Sequence, residues 1–129
     1  MARYLVDGMN VIGSRPDGWW RDLDAAVVRL ARCLAAWQAA EAADVTVVFD
    51  GRPPPDLDRG DLAGLEVAFA GRGREADDEI VRRVGTDLDP GAVEVVTSDR
   101  LLAERVRAAG ARQVVGSGGF RRRLDRYCR

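Results

Sequence analysis

Three β-branched apolar runs, each closed by an aspartate and separated by helix-length stretches, constrain this chain more than any other feature. They are VDGMN from Val6, VVFDG from Val47 and VVTSD from Val95. Alternation of strand and helix patterns is the signature of an α/β fold with a parallel sheet. Residues 3–6, 45–49, 65–69, 93–97 and 113–115 read as five strands. Helices are expected at 23–43, where Val27, Leu30, Leu34 and Trp37 recur at helical spacing, and at 76–84, 100–109 and 118–127. Gly110 should end the third of these in a left-handed conformation, and Ser117 should cap the last. Residues 51–64, with three consecutive prolines, read as irregular apart from a short helix around 55–62. Right-handed crossovers favour the strand order 3-2-1-4-5, which sets strands one and four side by side. That order brings Asp7 next to Asp99.

Composition then removes function classes. All 20 basic residues are arginine, and the chain has no histidine. A Ser/His or Cys/His nucleophile pair, a histidine metal site, a Walker lysine and a Schiff base are therefore excluded. Carboxylates are what remains for chemistry. A length of 129 residues, 47% hydrophobic and 32% charged, suits one globular domain spanning 1–129. No apolar run approaches a membrane span, and the start of the chain runs straight into strand pattern, so a cytoplasmic protein is expected, with no membrane partner. Cys33 and Cys128 are far apart and are expected as a reduced pair. The net charge of −1 gives no strong basic field, so any nucleic-acid contact must rely on local patches.

Asp7, Asp50 and Asp99 close strands, and Asp77 and Asp78 open a helix after strand three. In an open parallel sheet the carboxyl ends of the strands line one crevice, so these acids should converge there. Crowded carboxylates call for a divalent cation, and an all-oxygen donor set suits Mg²⁺ or Mn²⁺. Such an ion can activate water for in-line attack on a phosphodiester. The plainer reading is structural: aspartate after a strand forms turns and caps helices, as Asp99 could for the helix beginning at Arg100. Asn10 is positioned to hydrogen-bond Asp7 or orient a phosphate or water, or else only tightens a loop. Ser98 either contributes through water or merely ends its strand. Asp56, Asp58, Asp61, Asp87 and Asp89 lie in loops and receive no role.

Together, DGMNVIG (7–13), VVFDG (47–51), EADDEI (75–80) and VVTSD (95–99) resemble the NYN nuclease domains of the PIN-like superfamily, in particular the YacP-like bacterial branch. GSGGF at 116–120, with Ser117, looks like that branch's start to the last helix. The resemblance implies a three-layer α/β/α sandwich with a mostly parallel sheet of about five strands. It also implies a metal-dependent endoribonuclease with Asp7, Asp77 and Asp99 in the acidic positions, Asp50 next, and Asp78 competing with Asp77. Met9 stands where such domains often carry tyrosine.

An RNA substrate would find cations at Arg72 and Arg74, just before the acidic helix, and at Arg121 and Arg122 in the basic last segment. These could equally be solvated loop arginines and a favourable helix C-terminus. Trp19, beside Trp20 in a Gly/Pro loop, could stack on a base or pack against a neighbouring helix; Trp37 reads as core. RNA is thus the expected partner, mRNA in a ribosome context included, for a monomer or weak homodimer. The competing readings are a toxin-type PIN ribonuclease and a non-catalytic RNA-binding or protein-docking domain on the same fold. Aspartyl-phosphate hydrolases and receiver domains fail for want of lysine.

Overall fold

The computed structural model describes residues 3–71 and 75–128. The chain alternates strand and helix as expected, with β1 (Arg3–Asp7), β2 (Asp44–Phe49), β3 (Glu66–Phe69), β4 (Val93–Val96) and β5 (Gln113–Val115). All four strand pairings are parallel, in the order β3-β2-β1-β4-β5. Helices α2 (Leu23–Glu41), α3 (Glu75–Gly85), α4 (Arg100–Ala108) and α5 (Ser117–Leu124) sit close to their expected positions. Asp22 caps α2 by accepting from the Ala25 N–H, and Gly110 ends the α4 unit at a φ of 105°.

Strand alternation divides the core in two. Val6, Val45, Val47, Phe49, Val67 and Val96 face α2 and α5, while Leu5, Val48, Val93 and Val95 face Ile80 and Val84 of α3 and Leu102 and Val106 of α4. Three layers result, with the sheet buried on both sides, which is why its strands are continuous β-branched runs. No helix among the described residues is long and apolar enough to cross a membrane.

The structure corrects several expectations. Residues after β1 form a short helix, α1 (Gly8–Gly13), where a loop was read. Six residues are too few to show an amphipathic period, so the sequence gives no warning of it. Around 55–62 only a single 3-10 turn, Arg59–Asp61, forms. The prolines before it supply no N–H donors for a longer helix. The last helix begins at Ser117 itself, with Gly116 as its cap residue, and passes at Leu124 into a 3-10 turn, Asp125–Tyr127. The cysteines are not a reduced pair: Cys33 and Cys128 form a disulfide, with Cα atoms 4.7 Å apart despite 95 positions of separation. Their meeting depends on the terminal turn folding back onto the middle of α2, a tertiary contact that spacing does not encode.

Candidate functional site

The β1–β2 and β1–β4 registers place Asp7 level with Val48 and leave it one residue past the Val6 and Val96 pair. Leu5 faces the α3–α4 layer, so alternation sends Asp7 to that face, and Thr97 and Asp50 follow by the same parity. The outcome is direct contact: the Thr97 hydroxyl donates to Asp7 Oδ2 at 2.8 Å. Thr97 Oγ1 in turn accepts the Asp99 N–H at 3.1 Å. One buried threonine therefore ties the ends of β1 and β4 together. Its sequence signal was its place two residues before Asp99, directly after the strand, and it was missed.

Asp7 is 6% exposed. Burial is the main force pushing its carboxyl up to about 6, and the nearby charges of Asp77 and Asp50 push the same way. The Thr97 hydrogen bond and the Asn10 backbone N–H work in the opposite direction. No ion pair among the described residues includes Asp7. Three acids from separate stretches thus act on one another at this edge.

Asp77 and Asp99 meet along a second line. Both line a cleft of about 600 Å³ between α3 and α4, together with Asp78, Leu101, Leu102 and Arg105. Asp99 Oδ1 caps α4 by accepting from the Leu102 N–H at 3.1 Å, so the structural role foreseen for it is real. Asp77 is half-buried and presses on Asp7, whereas Asp78 is exposed and pairs with Arg105 at 2.9 Å. Consecutive helical positions point about 100° apart, so within this cleft Asp77 is turned towards Asp7 and Asp78 towards Arg105.

Asn10 does not bond Asp7 through its side chain. Its Oδ1 accepts from the Ser98 N–H at 2.8 Å and from the Ser117 hydroxyl at 2.6 Å. A backbone N–H can only donate, which fixes the amide with its NH₂ turned away from these partners. Ser98 Oγ accepts from the Ser117 N–H at 2.9 Å. Asn10, Ser98 and Ser117 therefore form a lattice joining α1, the end of β4 and the start of α5.

The remaining candidates separate cleanly. The Arg121 guanidinium donates to the Val11 and Ile12 carbonyls at 3.1 and 3.0 Å and to Asp17 at 2.8 Å. It ties down the carboxyl end of α1, which is structural work. Arg122 is exposed, beside Gly118 and Gly119 at the start of α5. Trp19 packs against the core, so the exposed indole of that loop is Trp20, at 55%. Arg72 and Arg74 lie outside the described residues.

Gly8 explains the turn after Asp7. A Cβ there would strike the Phe49 ring and stand 3.0 Å from the Val48 carbonyl oxygen. Only glycine lets α1 start against β2 and keep Asp7 at the strand end.

Among the described residues no three acidic side chains stand close enough to hold one ion directly. Mg²⁺ and Mn²⁺ keep several waters and need only one or two protein carboxylates. Asp7 beside Asp77 and Asp50 fits that demand: hard oxygen donors, partly buried, whose mutual repulsion a cation relieves.

The comparisons agree with this fold. Two crystal structures of Rae1 (YacP) from Bacillus subtilis are similar to this chain. One, a point-mutant form, has a TM-score of 0.78 and 24% identity over 98% of this chain and 77% of that one. The other has a TM-score of 0.74 and 25% identity over 98% of this chain and 75% of that one. No curated protein matches significantly. The family model described as the YacP-like NYN domain matches residues 4–128, nearly the whole chain, and the protein therefore belongs to that family, which is of RNA-nuclease type.

Proposed function

We propose that this chain is a metal-dependent endoribonuclease that hydrolyses phosphodiester bonds of single-stranded RNA, with Mg²⁺ or Mn²⁺ held directly by one or two of Asp7, Asp77, Asp99 and Asp50 and through its waters by the others. The observation that carries the reading is that acids from four separated stretches gather at the carboxyl edge of one sheet. A divalent ion bound there supplies positive charge for the phosphodiester oxygens and acidifies water for attack. The chain's own residues set the stage. Thr97 holds the Asp7 carboxylate in one orientation, and through the Asp99 N–H it fixes the spacing between two acidic positions. The amide NH₂ of Asn10, turned away from Ser98 and Ser117, is oriented to donate to a phosphate oxygen. Arg72, Arg74 and Arg122 would meet flanking phosphates, and Trp20 replaces Trp19 as the indole for base stacking.

The test is cleavage of single-stranded RNA in Mg²⁺ or Mn²⁺ by the wild type, Asp7→Asn and Asp99→Asn. Asparagine caps helices as well as aspartate does, so Asp99→Asn removes charge while keeping the α4 cap. Both variants should retain the wild-type circular dichroism and lose activity by at least about a hundredfold. One observation favours a second, non-catalytic reading: Asp99 and Asp78 already have structural partners that require no ion. RNA binding without cleavage by the wild type, with ribosomes present as well as on naked RNA, would favour it.

A further inference from the structure

The disulfide lies at an unusual place. Cys33 is buried on α2, whereas Cys128 is an exposed residue in the last described turn, so the bond has one sheltered partner and one at the surface. Beside both is a cavity of about 320 Å³, flanked by Trp19, Arg15, Arg29 and Arg121. Arg15 and Arg121 pair with Asp125 and Asp17, which also line it, and among the described residues Arg29 takes part in no ion pair. The lining thus holds three arginines against two aspartates, an excess of one positive charge. Cationic surroundings favour thiolates and attract anionic thiols.

The same bond anchors the 3-10 turn, Asp125–Tyr127, that continues α5 beyond its far end. At its near end the Ser117 N–H and hydroxyl hold Ser98 and Asn10, at the rim of the acidic crevice. Midway, Arg121 grips the end of α1. Helix α5 is therefore a strut between the cysteine pair and the lattice.

We propose that Cys33–Cys128 is a thiol–disulfide exchange site for small carboxylate-bearing thiols, and that its state sets how firmly α5 holds the Asn10–Ser98–Ser117 lattice. A thiolate attacks Cys128 Sγ, forming a mixed disulfide and releasing Cys33 as a thiolate that takes up a proton. A second thiol then attacks the small-molecule sulfur, releasing Cys128. In total, one protein disulfide and two small thiols become two protein thiols and one small disulfide. The matching small disulfide drives the reverse reaction.

The experiment treats the folded, oxidised chain with mercaptopropionate, mercaptoethanol or cysteamine at matched thiolate concentration, then counts thiols by alkylation and intact mass. Two thiols should appear without denaturant, several-fold faster with the anionic reagent than with the cationic one, and Arg29→Gln should narrow that ratio. On reduction, and in Cys128→Ser, the amides of residues 117–120 should exchange hydrogen about tenfold faster. A bond that never forms with oxidised glutathione, or that yields only on unfolding, overturns the exchange site. Equal rates for the two charges overturn its anion preference, and unchanged exchange at 117–120 overturns the coupling. None of these readouts uses cleavage, so they judge the inference separately from the nuclease reading.

Discussion

At the scale of single residues, Asp7 carries the conflict between stability and function. Its folded-state pKa, about 6, lies above the ordinary 3.8, so the native state prefers the proton and stability is greatest below the unfolded value. That contribution disappears as pH rises through 6, and the ionised form costs on the order of 3 kcal/mol at pH 8. Asp7→Asn should therefore be more stable than wild type by about 1–2 kcal/mol in metal-free urea titrations at pH 8. The gap should shrink towards pH 5, and a wild type that is the more stable at pH 8 would refute this account of the site. Gly8 is the complementary case. Gly8→Ala must displace the Phe49 ring or the Val48 carbonyl and should cost about 2–3 kcal/mol by the same measurement.

Among the elements, α3 serves two ends of the sheet. Its first turn presents Asp77 to the crevice, while its last turns join an ion network of Glu79 with Arg82 and Arg83, and of Arg83 with Glu66. The Arg82 hydrogen bond first, and Arg83 after it, hold the Glu79 carboxyl down to about 2. A lowered carboxylate stabilises the fold above its unfolded value of 4.5 and loses that contribution as pH falls from there through 2. Solvent screens these groups, so Glu79→Gln should cost about 1 kcal/mol at pH 7 and little at pH 2. Thermal melts across that range check the slope. Helix α1 shows why an element can escape sequence reading: its hold on the fold comes from Arg121, Ser98 and Ser117, contributed from afar, and from Val11 and Ile12, too few buried side chains to make a helical pattern.

For the molecule as a whole, an ion that binds only the assembled crevice must stabilise the fold by mass action. Mn²⁺ at about a hundred times its dissociation constant should add about 3 kcal/mol to the wild type and much less to Asp7→Asn, read as a shift in melting temperature. Much of this architecture was legible in the sequence, because strand and helix periods are local and right-handed crossovers leave few windings. The strand order, the α2 start at Leu23 and the placing of Asp7, Asp50 and Asp99 at strand ends all follow from that. Side-chain partnership was not legible. The nearness of Asp77 to Asp7 and of Asp78 to Arg105, Trp20 rather than Trp19 as the exposed indole, the structural use of Arg121, the Thr97 bridge and the Cys33–Cys128 bond each depend on which surfaces pack together. Residue periodicity determined the layers and the edge where acids gather, since it acts over a few neighbouring positions. Only tertiary packing decided which atoms meet there, since those contacts join residues some 90 positions apart, as Thr97 and Asp7 do.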